Sequence, residues 1–121
     1  MEKIMVSDYE EIMEVVGKYT EGCRKGDTAL MKQAFDKGAT MYGYLNGQLY
    51  DGSIENLYAA VDALGGDEAS RTRIDVLEVQ GNAAAVRVTL EDWHQIAFTD
   101  FHSLLKMDGQ WKIVGKVFHQ Y

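Results

Sequence analysis

The chain has 121 residues, 46% of them apolar and 26% charged, which suits one globular domain over residues 1–121. Its formal charge of −7 speaks against nucleic acid as a partner, and Lys106, Lys112 and Lys116 are too interspersed to reverse this. No apolar run approaches the roughly 20 residues that span a bilayer, the start shows no leader pattern and Cys23 is alone, so a reducing cytoplasm with no membrane partner is expected.

Ser7-Asp-Tyr-Glu10 fits a capping box, with Ser7 as N-cap and Glu10 reaching back. Behind it Tyr9, Ile12, Met13, Val16, Tyr19 and Cys23 recur at helical spacing, which predicts an amphipathic helix to about Lys25. Gly26 suits a left-handed stop, and Asp27 can cap a second, short helix through Phe35. Thr40 to Tyr50 reads as two short strands around Asn46-Gly47. Ser53 caps a third helix carrying Ile54, Leu57, Tyr58, Val61 and Leu64, stopped at Gly65-Gly66.

Strands fill the remainder. Arg71 to Gln80 turns at Gly81-Asn82 into Ala83 to His94, and a last long hairpin from Phe98 to His119 turns at Asp108-Gly109. The chain has no Pro, so its turns rest on Gly, Asn and Asp. Helices first and meandering strands after predict an α+β domain, its three N-terminal helices packed on one face of a curved, mostly antiparallel sheet.

The last hairpin is where chemistry is expected. With Asp108 and Gly109 as central turn residues, Leu104 opposes Ile113, His102 opposes Gly115, Asp100 opposes Val117 and Phe98 opposes His119. Side chains alternate along a strand, so these residues share one face. Thr99, Phe101, Ser103, Leu105, Lys112, Val114, Lys116 and Phe118 take the other, a partly apolar surface that fits a homodimer contact. Gly115 opposite His102 leaves a gap for a ligand or water. Asp100 and His102 share a face in any register, unless a bulge falls at Phe101. Three titratable groups among apolar neighbours suit an acid-base site, and the same Asp–His pair can equally be a structural one that fixes register. His119 lies near the C-terminus, so it joins the pair only if that end is ordered in this register.

Other candidates are Tyr42 and Tyr44, which alternate on the first hairpin and can offer phenolic donors or simply pack. Whether Asp92 and His94 or Glu91 and Trp93 face inward depends on the Gln95-Ile96 loop. His94, His102 and His119 fit no metal-motif spacing, and neither a Gly-rich phosphate loop nor G-x-S-x-G is present, so no metal or cofactor is expected. Cys23 belongs to the apolar stripe of helix 1 as a packing thiol.

The long capped helix, the Gly26-Asp27 break, the third helix and the closing Leu104-Leu-Lys-Met-Asp-Gly-Gln-Trp-Lys-Ile-Val114 resemble the nuclear transport factor 2-like superfamily. This is the SnoaL/ketosteroid-isomerase-like, cystatin-like α+β fold. Within it, Phe98-Thr-Asp100 through Lys116-Val-Phe118 resembles the group known as “putative lumazine-binding”. The resemblance implies a cone-shaped domain enclosing a deep pocket, commonly a homodimer through the sheet. Its members include isomerases, dehydratases, polyketide cyclases and epoxide hydrolases beside non-catalytic binding proteins.

Two functions follow as expectations. One is a small-molecule-binding protein for an apolar or aromatic compound, its pocket lined by Tyr42, Tyr44, Phe98, Leu104, Ile113, Gly115 and Val117 and anchored by Asp100, His102 and His119. The alternative is an acid-base enzyme of isomerase, dehydratase or cyclase type on a hydrophobic cyclic substrate. There Asp100 or His102 would be the general base or acid, with His119 assisting. A third possibility is an interaction module, in which the dimer surface or a pocket holds another protein.

Overall fold

The computed structural model describes residues 5–121. The elements run α1 (Val6–Lys25), α2 (Thr28–Lys32), β1 (Phe35–Leu45), β2 (Gln48–Tyr50), α3 (Glu55–Leu64), β3 (Arg71–Gln80), β4 (Ala83–Trp93), β5 (Ile96–Met107) and β6 (Gln110–Gln120). They form an α+β fold with helices on a six-stranded, open sheet of order β2-β1-β6-β5-β4-β3. All neighbours pair antiparallel except β1 with β6, which are parallel. The third helix follows the first two strands, so only α1 and α2 precede the sheet.

Helix α1 begins earlier than the Ser7 cap implies. Its N-cap is Met5, whose backbone N–H donates to Asp8 Oδ2 at 3.3 Å. Asp8 also accepts from the Trp111 indole N–H at 3.1 Å and from Lys106 Nζ at 3.0 Å. A carboxylate in the first turn thus satisfies the helix end and ties it to the β5–β6 hairpin. Gly26 ends the helix in the left-handed region at φ 71°, its N–H bonded to Gly22 O. Asp27 caps α2 by accepting from Leu30 N at 3.0 Å. That helix stops at Lys32, because Phe35 already belongs to β1.

The core lies between the inner sheet face and the helices. Ile12, Val16, Tyr19 and Cys23 of α1 meet Val86, Val88 and Leu90 of β4, Leu104 of β5 and Trp111 and Ile113 of β6, with Leu57, Tyr58 and Val61 of α3 closing one side. Of the register shifts in the sheet, those in the β4–β5 and β5–β6 ladders set which side chains reach the site. In β4 the register shifts between Leu90 and Trp93, so both turn inward while Glu91 and Asp92 stay exposed. In β6 one extra residue, Val114, falls between the pairs Leu104–Ile113 and Ser103–Gly115.

The second bulge corrects the simple hairpin register. Pairing from Met107–Gln110 to Leu104–Ile113 is as the turn dictates, but beyond it His102 opposes Lys116, Asp100 opposes Phe118 and Thr99 opposes His119. One added residue reverses which side chains of a strand face the core. Lys116 and Phe118 therefore point inward, and Val117 and His119 outward.

Candidate functional site

Alternation along β5 turns Phe98, Asp100, His102 and Leu104 to the inner face, beneath the apolar stripe of α1. Tyr19 from that stripe donates its hydroxyl to Asp100 Oδ2 at 2.5 Å. The inverted parity of β6 brings Lys116 beside them, with Nζ 3.9 Å from Asp100 Oδ1. His102 Nε2 stands 3.6 Å from Asp100 Oδ2, beyond hydrogen-bond length. Neither ring nitrogen of His102 has a hydrogen-bond partner among the described residues. Its ring packs between aromatics, 5.0 Å from Tyr19 and 6.1 Å from Phe35 by centroid.

Asp100 is 1% exposed and Lys116 5%. Among the described residues, the Lys116 ammonium has one hydrogen-bond acceptor, the thioether of Met41 at 3.9 Å. It otherwise lies over aromatic faces, 4.3 Å from the Phe118 centroid and 5.7 Å from that of Tyr19. An ammonium carries three donors, so most of this one's hydrogen-bonding capacity is unspent.

Burial alone would raise the Asp100 pKa, but the positive charge of Lys116, with help from His102 and the Tyr19 hydroxyl, brings it below the ordinary carboxylate value. Burial lowers the His102 pKa, and the Lys116 charge adds to this against the opposing pull of Asp100. Asp100 is thus the ionised member and His102 the neutral one. Burial and the Asp100 charge hold Tyr19 well above the usual tyrosine range, so it remains a donor. The same two causes push Cys23 up to about 12, which makes it an inert thiol.

Beside this cluster lies a cavity of about 50 Å³, walled by Cys23, Met41, Val61, Leu90, Trp93, Phe98 and Phe118, among others. Asp100 and Lys116 are the charged residues in its lining. At roughly 10–15 Å³ per water centre, this is room for about four waters, close to what one small ring occupies. Trp93 is fixed as a wall by its indole N–H, which donates to Cys23 O at 3.0 Å.

The residues singled out in the sequence separate into three groups. Asp100 and Phe98 line the cavity. His102, Leu104 and Ile113 face inward but pack behind it, fully buried. Tyr42, Tyr44, Val117 and His119 face outward and are exposed, and Gly115 pairs with Ser103 rather than with His102. Tyr19, Lys116, Phe118 and Trp93 were not among the sequence-derived site residues. Tyr19 was hidden in an ordinary core stripe, and Lys116 and Phe118 were assigned to the wrong face. Gly115 inside a strand was the available signal, because a strand-interior glycine often marks a bulge. Among the described residues no group of three or more His, Cys, Asp or Glu is placed to hold a metal ion. No described helix is long and apolar enough to cross a membrane.

Residues 7–119 match the family described as “Putative lumazine-binding”. The chain belongs to that family. Its fold is that of the nuclear transport factor 2-like superfamily, and the family's fold and description suggest a small-molecule-binding protein. A nuclear transport factor 2-like protein of Methylobacillus flagellatus KT superposes with a TM-score of 0.94 at 36% identity, covering 98% of this chain and 96% of the other. One from Shewanella baltica OS155 gives 0.91 at 32% identity, covering 99% and 98%. A curated relative, aldolase FrzH of Cladobotryum sp., is 31% identical over 119 residues, 98% of this chain and 95% of that protein.

Proposed function

We propose that this protein binds a compact, largely apolar small molecule in the cavity between α1, α3 and the inner sheet face, with Asp100 and Lys116 as polar anchors. The observation that carries this reading is a pair of buried, opposite charges in an otherwise apolar wall, one of them an ammonium with donors to spare. Burying charges costs several kcal/mol unless they are well paired. A 3.9 Å separation without a direct hydrogen bond is poor pairing for a purely structural bridge. The volume favours a single ring over a steroid-sized compound.

Titration with cyclohexanone, followed by NMR at the two indole N–H groups, tests this. Trp93 lines the cavity, whereas Trp111 is held by Asp8 outside it. The Trp93 signal should shift on binding and the Trp111 signal should not, and Val61→Phe should abolish the shift by filling the space. No Trp93-selective shift would overturn the reading.

A second reading, acid-base catalysis in the same cavity, is favoured by an ionised Asp100 that can accept a proton and by the name aldolase carried by the Cladobotryum relative. His102 would then be a positioning residue that packs against Asp100 and Tyr19. A homodimer through the outer sheet face remains part of the proposal.

A further inference from the structure

We propose that residues 44–50, the overhanging part of the β1–β2 hairpin, form a hinged door to the cavity, held shut by Gln120. The door governs the route into the cavity, whatever molecule fills it.

Exposure marks the way in. Most of the cavity lining is buried, and its half-buried members are Leu45, Tyr50 and Ala60. Leu45 and Tyr50 sit on the two strands of the hairpin, and Ala60 on α3. The cavity therefore comes nearest to solvent along the seam between hairpin and α3.

The hairpin has a hinge at its base and a clasp at its tip. Pairing of β1 with β6 ends at Gly43–Phe118, and β2 is a three-residue edge strand paired with β1 alone. Residues 44–50 thus overhang the sheet. Each leg meets a glycine at its base: Gly43, against the Phe118 ring, and Gly52, whose φ of 99° lies in a region that side chains disfavour. A few such residues suffice to absorb the backbone change when a lid opens.

Beyond the ladder itself, Gln120 ties the tip to the rest of the described chain. The Asn46 N–H donates to Gln120 Oε1 at 2.6 Å, and Gln120 Nε2 donates to Asn46 Oδ1 at 2.9 Å. Gln120 has a fixed backbone, paired with Phe98 of β5 and followed by Tyr121, whose N–H donates to Ala97 O at 3.0 Å. Exposed hydrogen bonds are of modest net strength. Two of them favour the shut position and still break readily.

Cys23 provides the assay. It is the chain's one thiol, buried in the cavity wall. Its modification by methyl methanethiolsulfonate, followed by mass spectrometry, reports how often the cavity opens, and the ratio of rates between proteins is what is read. Gln120→Ala should label roughly tenfold faster, the equivalent of two modest hydrogen bonds, with the urea midpoint unchanged. Gln120→Glu, which keeps an acceptor for the Asn46 N–H, should label more slowly than Gln120→Ala. Cyclohexanone should enter and leave the Ala variant faster by the same factor, read from exchange of the Trp93 signal. Its dissociation constant should stay within about threefold, because the shut state still dominates. Labelling or ligand exchange as slow in Gln120→Ala as in the wild type overturns the door. So does faster labelling matched by an equal loss of global stability. A Trp93 signal that ignores cyclohexanone in both proteins sinks the binding reading instead, and Cys23 labelling still decides the door.

Discussion

Lys116 Nζ and Asp100 Oδ1 stand 3.9 Å apart, although uninterrupted pairing of their strands would place them on opposite faces of the sheet. The single extra residue Val114 brings them together. Its consequences extend along the rest of β6: Phe118 becomes a cavity wall, and Val117 and His119 become surface. The bulge therefore determines the composition of the site, and the charge balance at Asp100 depends on it.

That charge balance makes the fold acid-labile in two windows. The His102 pKa is lowered by burial, so the unfolded chain binds a proton below the ordinary value of 6.5 that the folded chain resists. Stability is then lost as pH falls from 6.5 towards the folded pKa. The Asp100 pKa is depressed despite burial, so its contribution is present above 3.8 and lost as pH falls through its lower folded value. Urea midpoints measured across this range should fall in both windows. His102→Gln should flatten the upper one and leave the lower. An unchanged upper slope in that variant would assign the effect to other groups.

Gly43 of β1 pairs with Phe118 across the parallel ladder. A Cβ there would meet the Phe118 ring at 2.5 Å. Gly43→Ala must displace a ring that walls the cavity and lies beneath Lys116, and overpacking of this kind costs about 1–3 kcal/mol. Equilibrium urea unfolding should report that loss, together with weaker cyclohexanone binding at Trp93. Wild-type stability would show that the ring moves freely.

Helices α1 and α3, the strands β3 to β6 and the Asp108-Gly109 turn were legible because each has a local cause: apolar spacing, a cap or a turn dipeptide. The first half of β1, which starts at Phe35, was not, since the second helix was expected to run through that residue. Asp100 and His102 were legible as a pair because alternation along one strand needs no partner. Lys116, Phe118 and Tyr19 were not. The first two depend on the Val114 bulge, a property of the ladder with only Gly115 as a faint sequence mark. Tyr19 is 81 positions from Asp100, and helical spacing cannot show which polar group its hydroxyl will find.

Asp8 has a role that the helix pattern alone would not reveal. It accepts from the buried Trp111 indole N–H and from Lys106 while closing the first turn of α1. Asp8→Ala leaves the indole donor buried without that acceptor, at a cost of about 1–3 kcal/mol. Trp111→Phe removes donor and need together, so it should lose the hydrogen bond without stranding a partner. Comparing urea midpoints, we expect Asp8→Ala with Trp111→Phe in the same chain to cost less than the two singles added. Strict additivity would mean that the indole bond carries no coupling.

We propose that a second copy of the chain covers the outer sheet face. Tyr42, Val117 and Phe101 lie side by side across β1, β6 and β5, and are 47%, 55% and 50% exposed. Two chains of net charge −7 repel, so their association has to come from apolar contact within the roughly 800 Å² of total surface that each partner of a stable dimer buries. Light scattering should find a dimer, and Phe101→Asp and Val117→Asp should each give monomers whose urea midpoint is unchanged at low concentration. Phe118→Asp is not a fair test, because that side chain faces the cavity and its loss would disrupt the core. A monomeric wild type would overturn the dimer, and dimers that survive both outward-facing substitutions would place the contact elsewhere. In that case the row Tyr42–Val117–Phe101 would be an ordinary exposed surface, and the bulge that turned Val117 outward would matter only for the site it built on the opposite face.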